Sequence, residues 1–281
     1  MKQKFTQRSY DTQFSTLQNS YGITFNKQNQ QIIVTSEQSP CVSVTSRTDF
    51  EPLFSFGNDG KNIWKFNCPK GMCIQPFTNH LLITDDYNNK VQIFDFDDES
   101  KYNPSYIIGS NLKSNVCINR PRDICCDVDG SMAVTNFNDN VHFLDTSGRY
   151  ISSLYDNPKY ASGLILACYS NSYAQQRHFY TLYYYIDKLR VWDTSSNHRT
   201  HNHLFDIPLI HAPRGVCCDL NGYVYISYVN NSIEIREPKM NYSLLQTLKN
   251  CYLDGPKCMC VDDTNTLMVV NTYNNNVLLF K

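Results

Sequence analysis

Apolar and polar positions alternate along this chain in short runs, and the runs return in a fixed order. Val91-Gln92-Ile93-Phe94 and Leu189-Arg190-Val191-Trp192 show the two-residue period of a half-buried β-strand. Turn residues separate the runs. The clearest stretch occurs twice, Pro121 to Val141 (PRDICCDVDGSMAVTNFNDNV) and Pro213 to Ile233 (PRGVCCDLNGYVYISYVNNSI). Each copy reads as a strand, a tight turn, a second strand, an Asn-rich turn and a third strand. Asp129-Gly130 and Asn221-Gly222 supply the positive φ that a two-residue hairpin turn needs.

The pattern fits six times, with its Gly-equivalent anchor at Gly22, Gly71, Asp123, Gly163, Gly215 and Cys258, at intervals of 49, 52, 40, 52 and 43 residues. Val42, Val91, Val141, Leu189, Ile233 and Val277 close the Asn-rich turns. A fourth strand follows in five units, around Leu53–Phe56, Tyr106–Ile108, Tyr150–Leu154, Leu204–Ile207 and Leu244–Leu248. The sixth unit has none before Lys281. Phe14-Ser15-Thr16-Leu17-Gln18-Asn19 mirrors Leu245-Gln246-Thr247-Leu248-Lys249-Asn250, so a strand at about residues 12–18 is expected to complete the last sheet and seal a ring.

Six four-stranded sheets set radially make an all-β, six-bladed β-propeller, expected here as a single domain over residues 1–281. The run P-x-G-I-x-x-D, a hairpin and an N-N-x-V turn resembles the NHL repeat. The match is close in units two, three, five and six, weaker in unit one and poor in unit four. Unit four contains Val191-Trp192-Asp193, which is WD-like, and WD40 is the second choice of repeat. The recurring P-x-G start and the missing Gly-His element favour NHL.

Composition agrees with strands. Aromatic residues are 13% of the chain and alanines only five, which leaves little for long helices. A net charge of -1 gives no global pull toward nucleic acid or acidic lipid. The first residues, MKQKFTQRSYDTQFS, hold no apolar signal core, and no run is long enough to cross a bilayer, so a cytoplasmic protein with no membrane partner is expected. The twelve cysteines are then expected as reduced thiols. Richness in Asn, Tyr, Lys and Ile is the usage of an AT-rich genome, such as that of an amoebal protist or a giant DNA virus.

Several residue sets invite chemistry. Cys73, Cys125, Cys217 and Cys260 share one repeat place on the innermost strand, where a ring of thiols suits a soft metal but a small apolar side chain suits the crowding equally. Sheets about 10 Å apart keep neighbours such as Cys73 and Cys125 from bonding. The vicinal pairs Cys125-Cys126 and Cys217-Cys218 should point to opposite faces. His198, His201 and His203 are the only histidine cluster and a second set of metal candidates, in a loop expected to be solvated. Asp127, Asp219 and Asp262 precede the first hairpin turn and should accept its N–H groups. The place that is usually Asp in NHL units reads Ser36, Asp85, Thr135, Tyr183, Ser227 and Asn271. The resemblance extends to propeller lactonases and lyases that hold an axial metal, but their ligand constellations do not match here. No cofactor and no catalysis are expected.

A surface remains. The residue before the anchor is basic in four units, Lys70, Arg122, Arg214 and Lys257, and these should lie on one face near the axis. The turns between second and third strands bring Tyr87, Phe137, Tyr185 and Tyr273 to that face. The expected function is a non-catalytic scaffold that binds a protein or peptide there, since cations and flat aromatics are favoured at interfaces. The alternative is single-stranded RNA, whose bases stack on rings while phosphates meet charges, a use NHL propellers make of this face. Asp85, Asp86, Asp123 and Asp139 on the same face oppose phosphate. No RING, B-box or coiled-coil segment supports ubiquitin-ligase activity.

Overall fold

The computed structural model describes residues 7–37, 42–61, 65–96, 104–109, 117–137, 140–155, 165–171, 176–184, 187–195, 197–210, 212–238 and 241–281. Its strands form six four-stranded antiparallel sheets. Blade 1 holds Ser20–Asn26, Gln31–Ser36, Val42–Ser46 and Pro52–Phe56, and blade 2 Pro69–Ile74, Leu81–Asp85, Lys90–Phe94 and Pro104–Gly109. Blade 3 holds Pro121–Cys126, Met132–Asn136, Asn140–Leu144 and Tyr150–Tyr155, and blade 4 Ile165–Asn171, Gln176–Tyr183, Lys188–Thr194 and His201–Pro208. Blade 5 holds Pro213–Cys218, Val224–Tyr228, Ser232–Glu237 and Ser243–Lys249. Blade 6 holds Pro256–Val261, Leu267–Asn271 and Asn276–Phe280, and its outermost strand is Tyr10–Ser15.

The first strand of each blade meets that of the next all the way round, and blade 6 meets blade 1. The protein is therefore a six-bladed β-propeller. Between every pair of neighbouring blades lies one apolar layer, six in all. Alternate residues of a strand feed the layers on its two sides, as the pleat requires. Cys125 packs between blades 3 and 4 and Cys126 between blades 2 and 3.

Ring closure follows the expected route with a different register. Phe14 stands opposite Val277, as Leu248 stands opposite Ile233, so the N-terminal strand runs from Tyr10 to Ser15 and Phe14 matches Leu248 rather than Leu245. Ser9 and Lys281 exchange both backbone hydrogen bonds beyond the strand. Arg8 is buried and donates to the carbonyls of Asn265 and Phe280 and to the hydroxyl of Tyr225.

The first hairpins also differ from expectation. Gly130 N donates to Asp127 O while Asp127 N donates to Ser131 O, and Gly222 repeats this with Asp219 and Tyr223. The loop thus has three residues, with glycine at its left-handed end (φ 83° and 85°) rather than inside a two-residue turn. Asn265 does the same work in blade 6 at φ 64°. The loop is one residue longer in blades 1 and 2, so Asn136 and Tyr228, not Thr135 and Ser227, align with Ser36, Asp85 and Asn271.

Candidate functional site

The four predicted cations start the innermost strands, and the neighbouring blade fixes the backbones of Lys70, Arg122 and Lys257. A Cβ on Gly22 would lie 2.2 Å from Lys70 O, and one on Gly215 would lie 2.1 Å from Lys257 O. The anchor is glycine because the next blade's carbonyl occupies the space of a side chain. Hydroxyls then hold those carbonyls. Thr35 donates to Lys70 O at 2.7 Å, Ser227 to Lys257 O at 2.7 Å and Thr84 to Arg122 O at 3.4 Å. The Asn-rich turns act in the same sense. Asn89, Asn231 and Asn275 adopt left-handed backbone, and their side-chain oxygens accept from the N–H groups of Arg120, Gly255 and Asn19, each at the start of the next unit.

On this frame Lys70, Arg122 and Lys257 meet two carboxylates. Asp86 is fully buried and pairs with Lys70 Nζ at 3.1 Å, Arg120 Nε at 3.0 Å and Arg122 Nη1 at 3.6 Å. Glu37 pairs with Lys70 at 3.4 Å and Lys257 at 4.0 Å. Burial lowers the Lys257 ammonium pKa against the pull of Glu37, and the Asp86 hydrogen bond raises that of Arg120. Lys70, at 5% exposure, is a buried strut and not a free surface charge.

Aromatic rings interleave with these charges. Arg120 lies between Tyr87 and Phe137, 4.6 and 4.4 Å from their centroids, and Arg122 covers Phe137 at 5.1 Å. Arg214 reaches across to blade 6, 5.6 Å from the Tyr273 ring and 3.3 Å from its hydroxyl. Lys257 and Lys70 flank the ring of Tyr21 at 4.5 and 5.3 Å. Burial raises the pKa of Tyr21, so it stays a neutral phenol. Tyr87 and Tyr273 are 55% and 61% exposed, whereas Phe137 is half-buried. Tyr185 and Asp139 lie outside the described residues.

Arg120, Tyr21 and Glu37 were not singled out from sequence. Arg120 precedes Pro121 where other units have Cys68, Ala212 and Gly255, so no repeated column marks it. Glu37 and Tyr21 serve Lys70 and Lys257, which belong to other blades.

The inner strands enclose a channel of about 270 Å³ whose lining includes Cys73, Cys125, Cys126, Cys217, Cys218, Cys258 and Cys260. The four repeat-related thiols do not converge on the axis, because each turns into a different layer between blades. Burial raises the pKa of Cys217, Cys258 and Cys260, which keeps them as thiols. One close pair exists that sheet spacing did not suggest, since Cys73 Sγ lies 3.3 Å from Cys126 Sγ. Blades converge toward the axis, so the gap between their inner strands is narrower than between parallel packed sheets.

The histidine loop is not a solvated run. His198 and His201 both stack on Phe143, with centroids 5.5 and 4.0 Å away, and His198 is buried. His201 bonds Ser152 and Thr194, and burial lowers its pKa to about 4. His203 turns outward to Asp206 at 3.0 Å. The three rings therefore serve different partners. Asp219 and Asp262 do cap their hairpins as expected, accepting from Asn221 and Tyr223 and from Thr264 and Thr266.

No protein-family profile matches the chain, and no curated protein sequence matches it. Solved structures do. The β-propeller domain of Cps50 (Swd1) from Myceliophteria thermophila aligns over 98% of this chain and 99% of its own, with a TM-score of 0.66 at 10% identity. The WD40 β-propeller domain of Doa1 aligns over 99% and 98%, with a TM-score of 0.69 at 10% identity. At such identity the likeness is one of fold. The NHL assignment rests on the P-x-G and N-N-x-V motifs alone. Among the described residues no helix is long and apolar enough to cross a membrane.

Proposed function

We propose that this propeller is a non-catalytic interaction module that holds a protein or peptide on the face carrying Arg214, Lys257, Lys70 and Arg122. The observation that carries this reading is the contrast between fixed charges and exposed rings. Asp86 and Glu37 immobilise Lys70, Arg122 and Lys257, while Tyr87 and Tyr273 present more than half of their surface, each backed by a guanidinium. Rigid aromatics on a stiff scaffold lose little entropy on binding and make anchors. The WD40 and β-propeller domains that share the fold accord with a scaffold.

Single-stranded RNA is the weaker reading. Lys70, Arg120, Arg122 and Lys257 already meet carboxylates, so they have little field left for phosphates. Affinity capture from native cells with the wild type and a Tyr87→Ala/Tyr273→Ala double variant tests the proposal. A specific partner should be retained by the first and weakened roughly 30-fold or more by the second, the loss expected for anchor residues. Partners held equally by both would refute the assignment of this face. A mixed RNA pool titrated at two salt concentrations should show no specific, strongly salt-dependent binding.

A further inference from the structure

The opposite rim of the wheel repeats one contact between blades. Asp262 in the first hairpin of blade 6 accepts from Arg47 of blade 1 at 2.7 Å. Asp219 of blade 5 accepts from Tyr225, whose hydroxyl in turn takes a hydrogen bond from Arg8 beside blade 6. In blade 3 the equivalent carboxylate is Asp127, and the residue that meets it from the loop between the third and fourth strands of blade 4 is His198. Its Nε2 lies 3.2 Å from Asp127 Oδ2. A guanidinium is a permanent cation without a lone pair to give, whereas a neutral imidazole is a ligand.

Two more oxygen donors stand around that nitrogen. Asp129 Oδ2 lies at 3.9 Å and Ser131 Oγ at 2.7 Å. One ligand atom each from Asp127, Asp129 and His198 fall within 4.8 Å of one another, and no other group of three acidic, His or Cys residues does so among the described residues. We propose that Asp127, Asp129 and His198 form a site for a divalent transition-metal ion of the zinc class, which clamps blade 3 to blade 4.

The geometry suits such an ion. Zinc bonds nitrogen and carboxylate oxygen at about 2.1 Å, which puts two ligands of a tetrahedral centre about 3.4 Å apart. The Asp127–His198 spacing of 3.2 Å already matches. Asp129 has to close on His198 Nε2 by about half an ångström, and it sits at an exposed hairpin tip, away from the core. Its exposed side leaves the fourth position to water. One imidazole with two carboxylates selects the zinc and cobalt class over calcium or magnesium, which prefer oxygen alone. The supports are rigid. Val128 N donates to Asp127 Oδ1 at 2.6 Å, and the His198 ring lies within 15° of parallel to Phe143.

Cobalt(II) added to the full chain tests the site, since its visible bands distinguish nitrogen and oxygen ligands from the thiols of the channel. The wild type should bind one equivalent with d–d bands and no thiolate charge-transfer band. Asp129→Asn keeps the Asp127–His198 contact, so it should unfold at the wild-type temperature without metal yet bind cobalt about tenfold or more weakly. His198→Gln should abolish the bands, and zinc should raise the unfolding temperature of the wild type more than that of Asp129→Asn. Absence of d–d bands, cobalt bound only through thiolate, or equal binding by Asp129→Asn would each overturn the proposal and leave His198 as a latch.

Discussion

Asp86 shows how much one side chain organises. It is fully buried and holds cations contributed by two blades, so neutralising it leaves Lys70 buried without its nearest counter-charge. Asp86→Asn, of nearly equal shape, should cost about 3 kcal/mol. The urea midpoint with an unchanged slope measures this, and a shift within error would mean that Glu37 suffices for Lys70. Acid should act on other residues. Burial lowers the pKa of His142 and His178 below their ordinary 6.5. The unfolded chain then takes up protons near that value while the folded one resists. Stability is therefore complete above about pH 6.5 and declines as pH falls below it, before carboxylates titrate. Urea midpoints between about pH 7.5 and about pH 5 should show the decline. His178→Gln should make it shallower, since His142 and His201 still contribute, and an identical slope in that variant would show that His178 does not contribute.

At the scale of the strand and turn, the repeat motif is a description of contacts between blades. The glycine after each cation makes room for the neighbour's backbone. Gly215→Ala would place Cβ 2.1 Å from Lys257 O and should cost about 3 kcal/mol through the forced displacement of blade 6. Gly109→Ala, whose Cβ meets nothing nearer than 3.4 Å, is the control and should be nearly neutral in the same thermal melt. Equal losses in both would refute the close-approach account. Much of this was legible in the sequence because the cause is local. Asn-rich turns need left-handed backbone, hairpin carboxylates cap their own loops, and strand alternation sorts residues between faces. The parts that were not legible depend on which blades meet. Arg120 is conspicuous only beside Tyr87 and Phe137, and His198 is buried only because Phe143 of another blade lies beneath it. Likewise, Lys70, Arg122 and Lys257 of the expected basic ring are ion-paired because Glu37 and Asp86 come from other strands than the cations they bind.

At the scale of the molecule, stability rests on a closed circuit of six similar apolar layers, and the sixth depends on residues from both ends of the chain. Phe14 packs in the layer between blades 6 and 1, and Arg8 ties the carbonyls of blade 6. Deleting residues 1–15 should leave Asn276–Phe280 as a bare edge and lower the melting temperature by at least about 10 °C. A truncated chain that melts with the wild type would show that closure adds nothing.

The pairing of Tyr10–Ser15 with Asn276–Phe280 also sets a timetable. About 260 residues separate the two partners, so at ordinary translation speeds of 5–20 residues per second the early segment emerges from the ribosome roughly 13 to 50 s before its mate exists. During that interval the nascent polypeptide carries an unsatisfied ribbon that any passing strand edge can capture, which makes synthesis itself the period of greatest exposure to chaperones and to misassembly between neighbouring polysomes.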